Sequence, residues 1–143
     1  MGFGITALLL SSNLHRRYLI NDIGALFIPS IDCNQFRLYK EGGKPVGFVS
    51  WAYLTSEIDQ KYAQGTYNLK YKDWYAGEKL WFLDFAAPFG HAKKIFAELR
   101  NELFPNSIGK SVRAEKPGKI IASYILLGKN VVSNRKKSKK LNN

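Results

Sequence analysis

The segment Trp81-Phe-Leu-Asp84-Phe-Ala-Ala-Pro88-Phe-Gly90 decides the fold of this chain. It begins with an apolar run that contains a single carboxylate, and such a run predicts a buried central strand. Pro88 and Gly90 then predict the turn that ends the strand. Burying an unpaired carboxylate costs several kcal/mol, roughly, so Asp84 is expected to have a hydrogen-bonded partner or a chemical task.

The expected partner of Asp84 is a cation or an imidazole, and the chain offers two histidines, His15 and His91. His15 follows the apolar residues 3–14, which are compatible with a short helix that carries it into the core. His91 follows the turn directly and opens a predicted surface helix. We therefore expect His15, and not His91, to lie on the same cleft wall as Asp84, within hydrogen-bonding reach directly or through one water.

Outward from this strand, the sequence predicts an α+β fold with a mostly antiparallel central sheet flanked by helices. A glycine pair followed by Pro45 predicts a hairpin turn over 41–45, and Pro29 is expected to bend or end the helix that contains it. The predicted elements are helices over 3–14 and from Asn21 to Ile31, hairpin strands over 35–40 and 46–53, a helix over 55–63, a tyrosine-rich loop over 65–77, the central strand over 80–87, a helix over 91–103, and strands over 110–114 and 119–127.

The 143 residues suit one domain, which can bury roughly two-thirds of its unfolded surface without further support. The single Cys33 excludes an intramolecular disulfide, and with two histidines no convincing metal site is expected. The first ten residues lack the features of a secretory signal, and no stretch approaches the ~20 apolar residues of a membrane span. A reducing cytoplasm is the expected location.

The formal net charge of +11 is unevenly distributed. Residues 129–143 hold six of the 22 basic residues and no acidic one, so a domain over residues 1–128 is predicted to be followed by a basic, disordered tail. Residues 1–128 hold the other 16 basic residues against all 11 acidic ones, a net charge of +5. Such a surface attracts acidic proteins or phosphates by long-range electrostatics.

Three motifs resemble the bacterial lysine acyltransferases that activate RTX protoxins. They are Ser11-Ser-Asn-Leu-His15-Arg16, Gly47-Phe-Val-Ser50-Trp51-Ala52 and the segment from Trp81 to Gly90, in that order, with Ser111-Val-Arg113 downstream. The resemblance extends from about Ile5 to Gly128. It implies a fold related to the Gcn5-like N-acetyltransferases, and it implies that His15 and Asp84 are the catalytic pair.

The resemblance further implies a function, a donor and an assembly. The expected activity moves a fatty acyl group from acyl carrier protein to an internal lysine of an RTX protoxin. The donor group is acyl-phosphopantetheine, presented as a co-substrate, and no tightly bound cofactor is expected. A homodimer is also implied. For the mechanism we favour direct attack by the lysine amine, with His15 as general base and Asp84 orienting it; a covalent acyl-enzyme is the alternative.

Several other residues have two interpretations each. Ser12 lies three positions before His15, where it could orient the imidazole or merely end a helix. Gly90, Lys93 and Lys94 are candidate contacts for the phosphopantetheine or the carrier, although an ordinary exposed basic helix fits them equally well. Cys33 lacks any local activating motif, so an inert buried thiol is expected rather than a nucleophile.

Two other functions fit parts of the sequence. A catalytically degenerate member of the same family would bind acyl carrier protein without transferring the acyl group. A small nucleic-acid-binding module would account for the sequence pI near 9.8 and for the aromatic residues interleaved with lysines. The second is disfavoured, because no helix-turn-helix, zinc or RNP motif is present and the densest basic cluster lies in the predicted tail.

Overall fold

The computed structural model describes residues 27–116 and 119–141. Within these ranges, only the backbone is described for residues 113–125. The elements in chain order are helix α1 over residues 27–32, strand β1 Phe36–Glu41, strand β2 Lys44–Leu54, helix α2 Ser56–Ala63, a 3-10 helix Tyr71–Tyr75, strand β3 Lys79–Ala86, helix α3 Ala92–Glu98 with a π-helical extension Leu99–Leu103, strand β4 Ile108–Lys116, strand β5 Lys119–Leu127 and helix α4 Lys129–Leu141.

The five strands form one sheet in the order β1-β2-β3-β4-β5. Neighbouring strands are antiparallel except for β3 and β4, which are parallel. The α+β class and the mostly antiparallel sheet are therefore confirmed. This architecture is compatible with the Gcn5-like N-acetyltransferase fold.

The first hairpin follows directly from its glycine pair. Gly42 and Gly43 have φ values of 56° and 78°, which residues with a side chain seldom adopt. Two consecutive positive φ angles are what a tight two-residue hairpin turn requires, because they match the twist of the flanking strands. The predicted hairpin is confirmed. Strands β1 and β2 pair from Glu41 opposite Lys44, beside the turn, to Phe36 opposite Ser50.

Helix α1 continues past Pro29 to residue 32, so the prediction that this proline ends the helix is wrong. The alternative, that Pro29 bends the helix, concerns a helix whose predicted first part lies outside the described residues. A proline lacks an N–H group, but its carbonyl still accepts, and the Cys33 N–H donates to the Pro29 oxygen at 3.0 Å. The helix instead ends where Asn34 adopts the left-handed conformation with φ 55°.

The sheet separates two apolar layers, because successive residues of a strand point to opposite faces. Helix α3 covers one face, called here the α3 face. Its buried residues are Val49, Trp51, Leu80, Phe82, Ile95, Leu99, Phe104 and Leu126. The opposite face buries Phe27, Phe48, Ala52, Leu54, Trp74, Trp81 and Ala86. Gly47 lets α3 approach closely, since a Cβ there would lie 2.3 Å from Ile95 Cδ1.

The predicted helix over 91–103 is confirmed, with a change of geometry in its second half. Residues Leu99–Leu103 are π-helical, and the Phe104 N–H donates to the Leu99 oxygen five residues back, at 2.7 Å. The wider turn accompanies the burial of both Leu99 and Phe104 in the core of the α3 face.

The basic segment after residue 128 is helical over Lys129–Leu141, whereas the sequence predicted disorder. That prediction rested on the absence of core-forming residues, and indeed no residue of α4 is buried. Lysine and arginine nevertheless favour helices, and the first turn is fixed to the domain. The Asn130 N–H donates to the Pro105 oxygen at 2.9 Å, and the Asn130 side chain donates to the Asn106 side chain at 2.7 Å.

Ending the chain at Gly128 should leave folding and acyl transfer nearly intact. The deletion removes the two hydrogen bonds from Asn130 to the domain but no buried side chain among residues 129–141, so the free energy of unfolding should fall by about 1 kcal/mol or less. Urea denaturation and transfer assays of the shortened chain check this. Loss of transfer with an unchanged unfolding midpoint would instead make α4 a docking element.

Candidate functional site

Asp84 lies in the middle of the sheet and is buried, with 4% of its surface exposed. It stands opposite Ser50 in the β2–β3 register, and the fully buried Ser50 Oγ donates to Asp84 Oδ2 at 3.4 Å. This distance is long for a hydroxyl–carboxylate bond. The structure therefore confirms that Asp84 belongs to a buried strand, and it adds a polar partner that the sequence analysis did not predict.

A bulge in β3 determines where Asp84 points. Trp51 pairs with Phe82 and Ser50 pairs with Asp84, so Leu83 is an extra residue on β3. Phe82 and Phe85 consequently both pack on the α3 face although they are three positions apart. Asp84 lies beside Ser50 on the opposite face. A bulge of this kind is a recognised means of redirecting a side chain next to a functional site.

The parallel strands β3 and β4 separate close to Asp84. Their register contains two pairs, Trp81 with Lys110 and Phe82 with Ser111. Both strands continue beyond these pairs, β3 to Ala86 and β4 to Lys116. Parallel strands that continue after their pairing ends leave an opening between them. Asp84 lies two residues beyond the last pair, at the edge of this opening.

A polar network fixes the closed end of the opening. Asp59, 8% exposed, accepts from Trp81 Nε1 at 2.8 Å and from Lys110 Nζ at 2.9 Å. The Lys110 ammonium also lies 5.7 Å from the centre of the Trp81 ring, within range of a cation–π contact. Trp81 is itself fully buried, which confirms its predicted place in the core. The network thus ties α2 to Trp81 and Lys110, one of the two pairs that join β3 and β4.

Replacing Lys110 with methionine should lower the free energy of unfolding by about 2–3 kcal/mol, because Asp59 would keep its buried charge without its cation. The exposed Glu57–Lys61 pair, 2.7 Å apart on α2, provides a matched control. Lys61→Met should change the unfolding free energy by about 0.5 kcal/mol or less. Urea denaturation of both variants measures the difference, and equal losses would contradict a special role for Lys110.

His15 and Ser12 lie outside the described residues, so the pairing of His15 with Asp84 stays a prediction. The described chain begins at Phe27, whose ring packs against that of Phe48 with centroids 5.5 Å apart. Phe48 points to the same face as Ser50, two residues along β2. Phe27, the first described residue, therefore lies on the face of the sheet where Asp84 lies.

The other histidine has a different partner. His91 precedes the first residue of α3, and its Nε2 contacts the Glu41 carboxylate of the hairpin. The structure therefore pairs His91 with a carboxylate other than Asp84. This agrees with the expectation that His91 is not the partner of Asp84. It also identifies His91 as a suitable control in experiments on the catalytic base.

The candidate contacts for the donor lie around the start of α3. Gly90 has φ 90° and forms the turn between β3 and α3, and Lys93 and Lys94 are both exposed. Lys93 lines a groove beside Phe85, whereas Gly90 and Lys94 are not among its lining residues. Their assignment to phosphopantetheine or carrier binding stays a prediction.

Cys33 is a poor nucleophile in this environment. Burial raises the pKa of its thiol, and the neighbouring Asp32 carboxylate raises it further. Little thiolate would form near neutral pH, and the thiolate is the reactive species. The structure therefore supports the expectation of an inert cysteine, although its side chain is partly exposed and not buried as predicted.

Ser50 and the Asp59–Lys110 pair were missed from the sequence for different reasons. Ser50 is a polar residue within the apolar run from Val46 to Leu54, the same signal that singled out Asp84. Asp59 and Lys110 are 51 positions apart, and no local pattern connects them.

Comparison with known proteins gives consistent matches over most of the chain. The model of the HlyC family, the RTX toxin acyltransferases, matches residues 2–123. An uncharacterized protein of Synechocystis is 37% identical over 117 residues, which cover 80% of either chain. The RTX-II toxin-activating lysine-acyltransferase ApxIIC of Actinobacillus pleuropneumoniae is 35% identical over 83% of this chain and 75% of its own. The protein-lysine myristoyltransferase RtxC of Kingella kingae is 32% identical, with coverages of 85% and 72%.

Proposed function

The chain belongs to the RTX toxin acyltransferase family, and on that premise we propose that it is a protein-lysine fatty acyltransferase. The reaction moves an acyl group from acyl carrier protein to an internal lysine of an RTX protoxin and thereby activates the toxin. Relatives named as toxin-activating lysine-acyltransferases support the reaction class. The carrier as donor and the protoxin as acceptor are parts of the proposal.

One observation carries the proposal: a buried carboxylate, Asp84, lies at the edge of the opening between β3 and β4. A structural role alone would favour an apolar residue here, because a buried charge is costly. A carboxylate can instead hold an imidazole in one tautomer and stabilise its protonated form. In the proposed site that imidazole belongs to His15.

The chemistry requires a base because the lysine amine is protonated at neutral pH, with a reference pKa near ~10.4. His15 first accepts the ammonium proton and passes it to solvent, and it accepts the second proton as the neutral amine attacks the thioester carbonyl. Backbone N–H groups near the cleft stabilise the oxyanion of the tetrahedral intermediate. Its collapse forms the amide bond, breaks the carbon–sulfur bond and releases the phosphopantetheine thiol, which takes up the proton. A covalent acyl-enzyme is the alternative route.

The donor side of the site is proposed to lie around α3. The net charge of +5 on residues 1–128 favours an acidic carrier protein by long-range attraction. Lys93 and Lys94, with the turn at Gly90, are proposed contacts for the carrier or for the phosphate of its phosphopantetheine arm. Ser12 is a proposed supporting residue beside His15.

A homodimer and a cytoplasmic location complete the proposal. Both follow from the family expectation, and acyl carrier protein and the unprocessed protoxin meet in the cytoplasm. In the described parts of the chain, no helix has the length and apolar character needed to cross a membrane.

The test uses the purified chain, acyl carrier protein loaded with a labelled fatty acid, and a protoxin fragment. Mass spectrometry should locate the label on one or a few lysines, and a fragment with those lysines replaced by arginine should stay unlabelled. Binding of the carrier without any transfer to the protoxin would identify the degenerate alternative. Tight binding of nucleic acid without transfer would favour the basic module.

A further inference from the structure

A groove with a volume of about 490 Å³ runs along one flank of α3. Its floor is apolar and is formed by Phe85 and Phe96 together with Ala92 and Ala97. Lys93 and Arg100 line it seven positions apart on the helix, and no carboxylate is among its described lining residues. The groove therefore combines an apolar floor with two cations.

The charges around α3 are segregated between its two flanks. On the flank facing β1, Glu98 forms an ion pair with Arg37 at 2.8 Å, and the Glu98 carboxylate adds to burial in raising the pKa of Tyr39. His91 contacts Glu41 on the same hairpin. Glu102 of the π-helical extension also adds to raising the pKa of Tyr39, and it does not line the groove. Lys93 and Arg100 are therefore the charged residues of the groove lining.

Arg100 also has an unused hydrogen-bond donor. Its Nε is buried and has no hydrogen-bond partner within the described part of the chain. A guanidinium group presents its donors in a planar fork that matches a carboxylate. Arg100 lines the groove, so an incoming carboxylate would pair with its guanidinium from the groove side.

The groove lies next to the candidate site but on the other side of the sheet. Phe85 forms part of its floor on the α3 face, while the preceding residue, Asp84, lies on the opposite face. Both residues lie beyond the last β3–β4 pair, at the opening between the strands. A flexible arm that entered from the groove could therefore reach Asp84 through this opening.

We propose that this groove is the docking surface for an acidic helix of the acyl-carrying protein. Carboxylates of that helix pair with Lys93 and Arg100, and one apolar side chain rests on Phe85 and Phe96. The inference rests on the proposed function, because it assumes a carrier protein as donor. It separates recognition of the carrier, on the α3 face, from the chemistry at Asp84.

The test is a charge reversal at Arg100, measured first as binding rather than as catalysis. Calorimetric titration with bacterial holo acyl carrier protein, without an acyl chain, should give a dissociation constant at least tenfold weaker for Arg100→Glu, since close charge pairs across interfaces couple at this level or above. Arg135→Glu on the exposed helix α4 is the matched control and should bind within twofold of the wild type. Thermal melts verify folding, and Lys93→Glu replaces Arg100→Glu if the latter is unfolded.

A second donor distinguishes docking from chemistry. With acyl-pantetheine, which carries no protein, Arg100→Glu should transfer within about threefold of the wild type. If Arg100→Glu and Lys93→Glu both bound the carrier as tightly as the wild type does, the proposal would be overturned. The proposal would also be overturned if Arg100→Glu lost transfer from acyl-pantetheine as strongly as from the carrier, because the groove would then be a subsite for the arm. It would likewise be overturned if sedimentation showed that Arg100→Glu dissociates a dimer, because the groove would then be a contact between subunits. A wild type that binds carrier through Arg100 yet transfers nothing would refute the proposed function and leave the docking surface standing.

Discussion

Asp84→Asn should lower acyl transfer by about 10²–10³-fold while the domain stays folded. Asparagine keeps the shape of the side chain, and its amide oxygen can still accept from the buried Ser50 hydroxyl. What it lacks is the negative charge that stabilises a protonated imidazole. The expected loss is therefore in the turnover number, measured with saturating acyl carrier protein, with little change in carrier binding.

The matched control for this substitution is Asp73→Asn. Asp73 is buried to a similar extent, at 5% exposed, but its carboxylate accepts from the Lys70 N–H at 2.8 Å and from the Tyr67 hydroxyl at 2.7 Å, at the 3-10 helix. Its replacement should lower stability and leave the turnover number nearly unchanged. If folded Asp84→Asn transferred like the wild type, Asp84 would be a structural residue only.

Each element that was predicted correctly from the sequence is determined by residues that lie close together along the chain. The glycine pair at 42–43 sets the hairpin, the apolar run around Asp84 sets the central strand, and the spacing of Ile95 and Leu99 sets the buried side of α3. Each of these signals acts within a few residues. Local sequence is therefore sufficient to place them.

The geometry around Asp84 could not be predicted in this way. A regular alternation along β3 would place Asp84 on the same face as Phe82, whereas the bulge at Leu83 turns it to the opposite face. The bulge is a property of the pairing with β2. The separation of β3 from β4 likewise depends on two strands that lie almost thirty residues apart in sequence. Asp84 could be identified from the sequence because a carboxylate within an apolar run is visible locally. Its surroundings are determined by contacts between strands that are distant in sequence.

His15→Ala is expected to have the largest effect on activity, lowering transfer by about 10²–10⁴-fold near neutral pH. Alanine removes the group that accepts the proton of the lysine ammonium. His91→Ala is the matched control, since the chain has two histidines and the imidazole of His91 contacts Glu41. That variant should retain transfer close to the wild-type rate. Thermal melts of both variants must first show a folded domain.

The pH dependence identifies the role of the lost group. Wild-type transfer should rise with pH through the titration of an imidazole, whose reference pKa is ~6.5, because only the neutral form accepts a proton. For His15→Ala the rise should move toward the pKa of the lysine amine, so the defect should shrink at alkaline pH. Added imidazole should restore part of the rate near neutral pH. A folded His15→Ala variant with wild-type transfer would exclude His15 as the base, and an acyl group trapped covalently on the wild-type chain would favour the acyl-enzyme route.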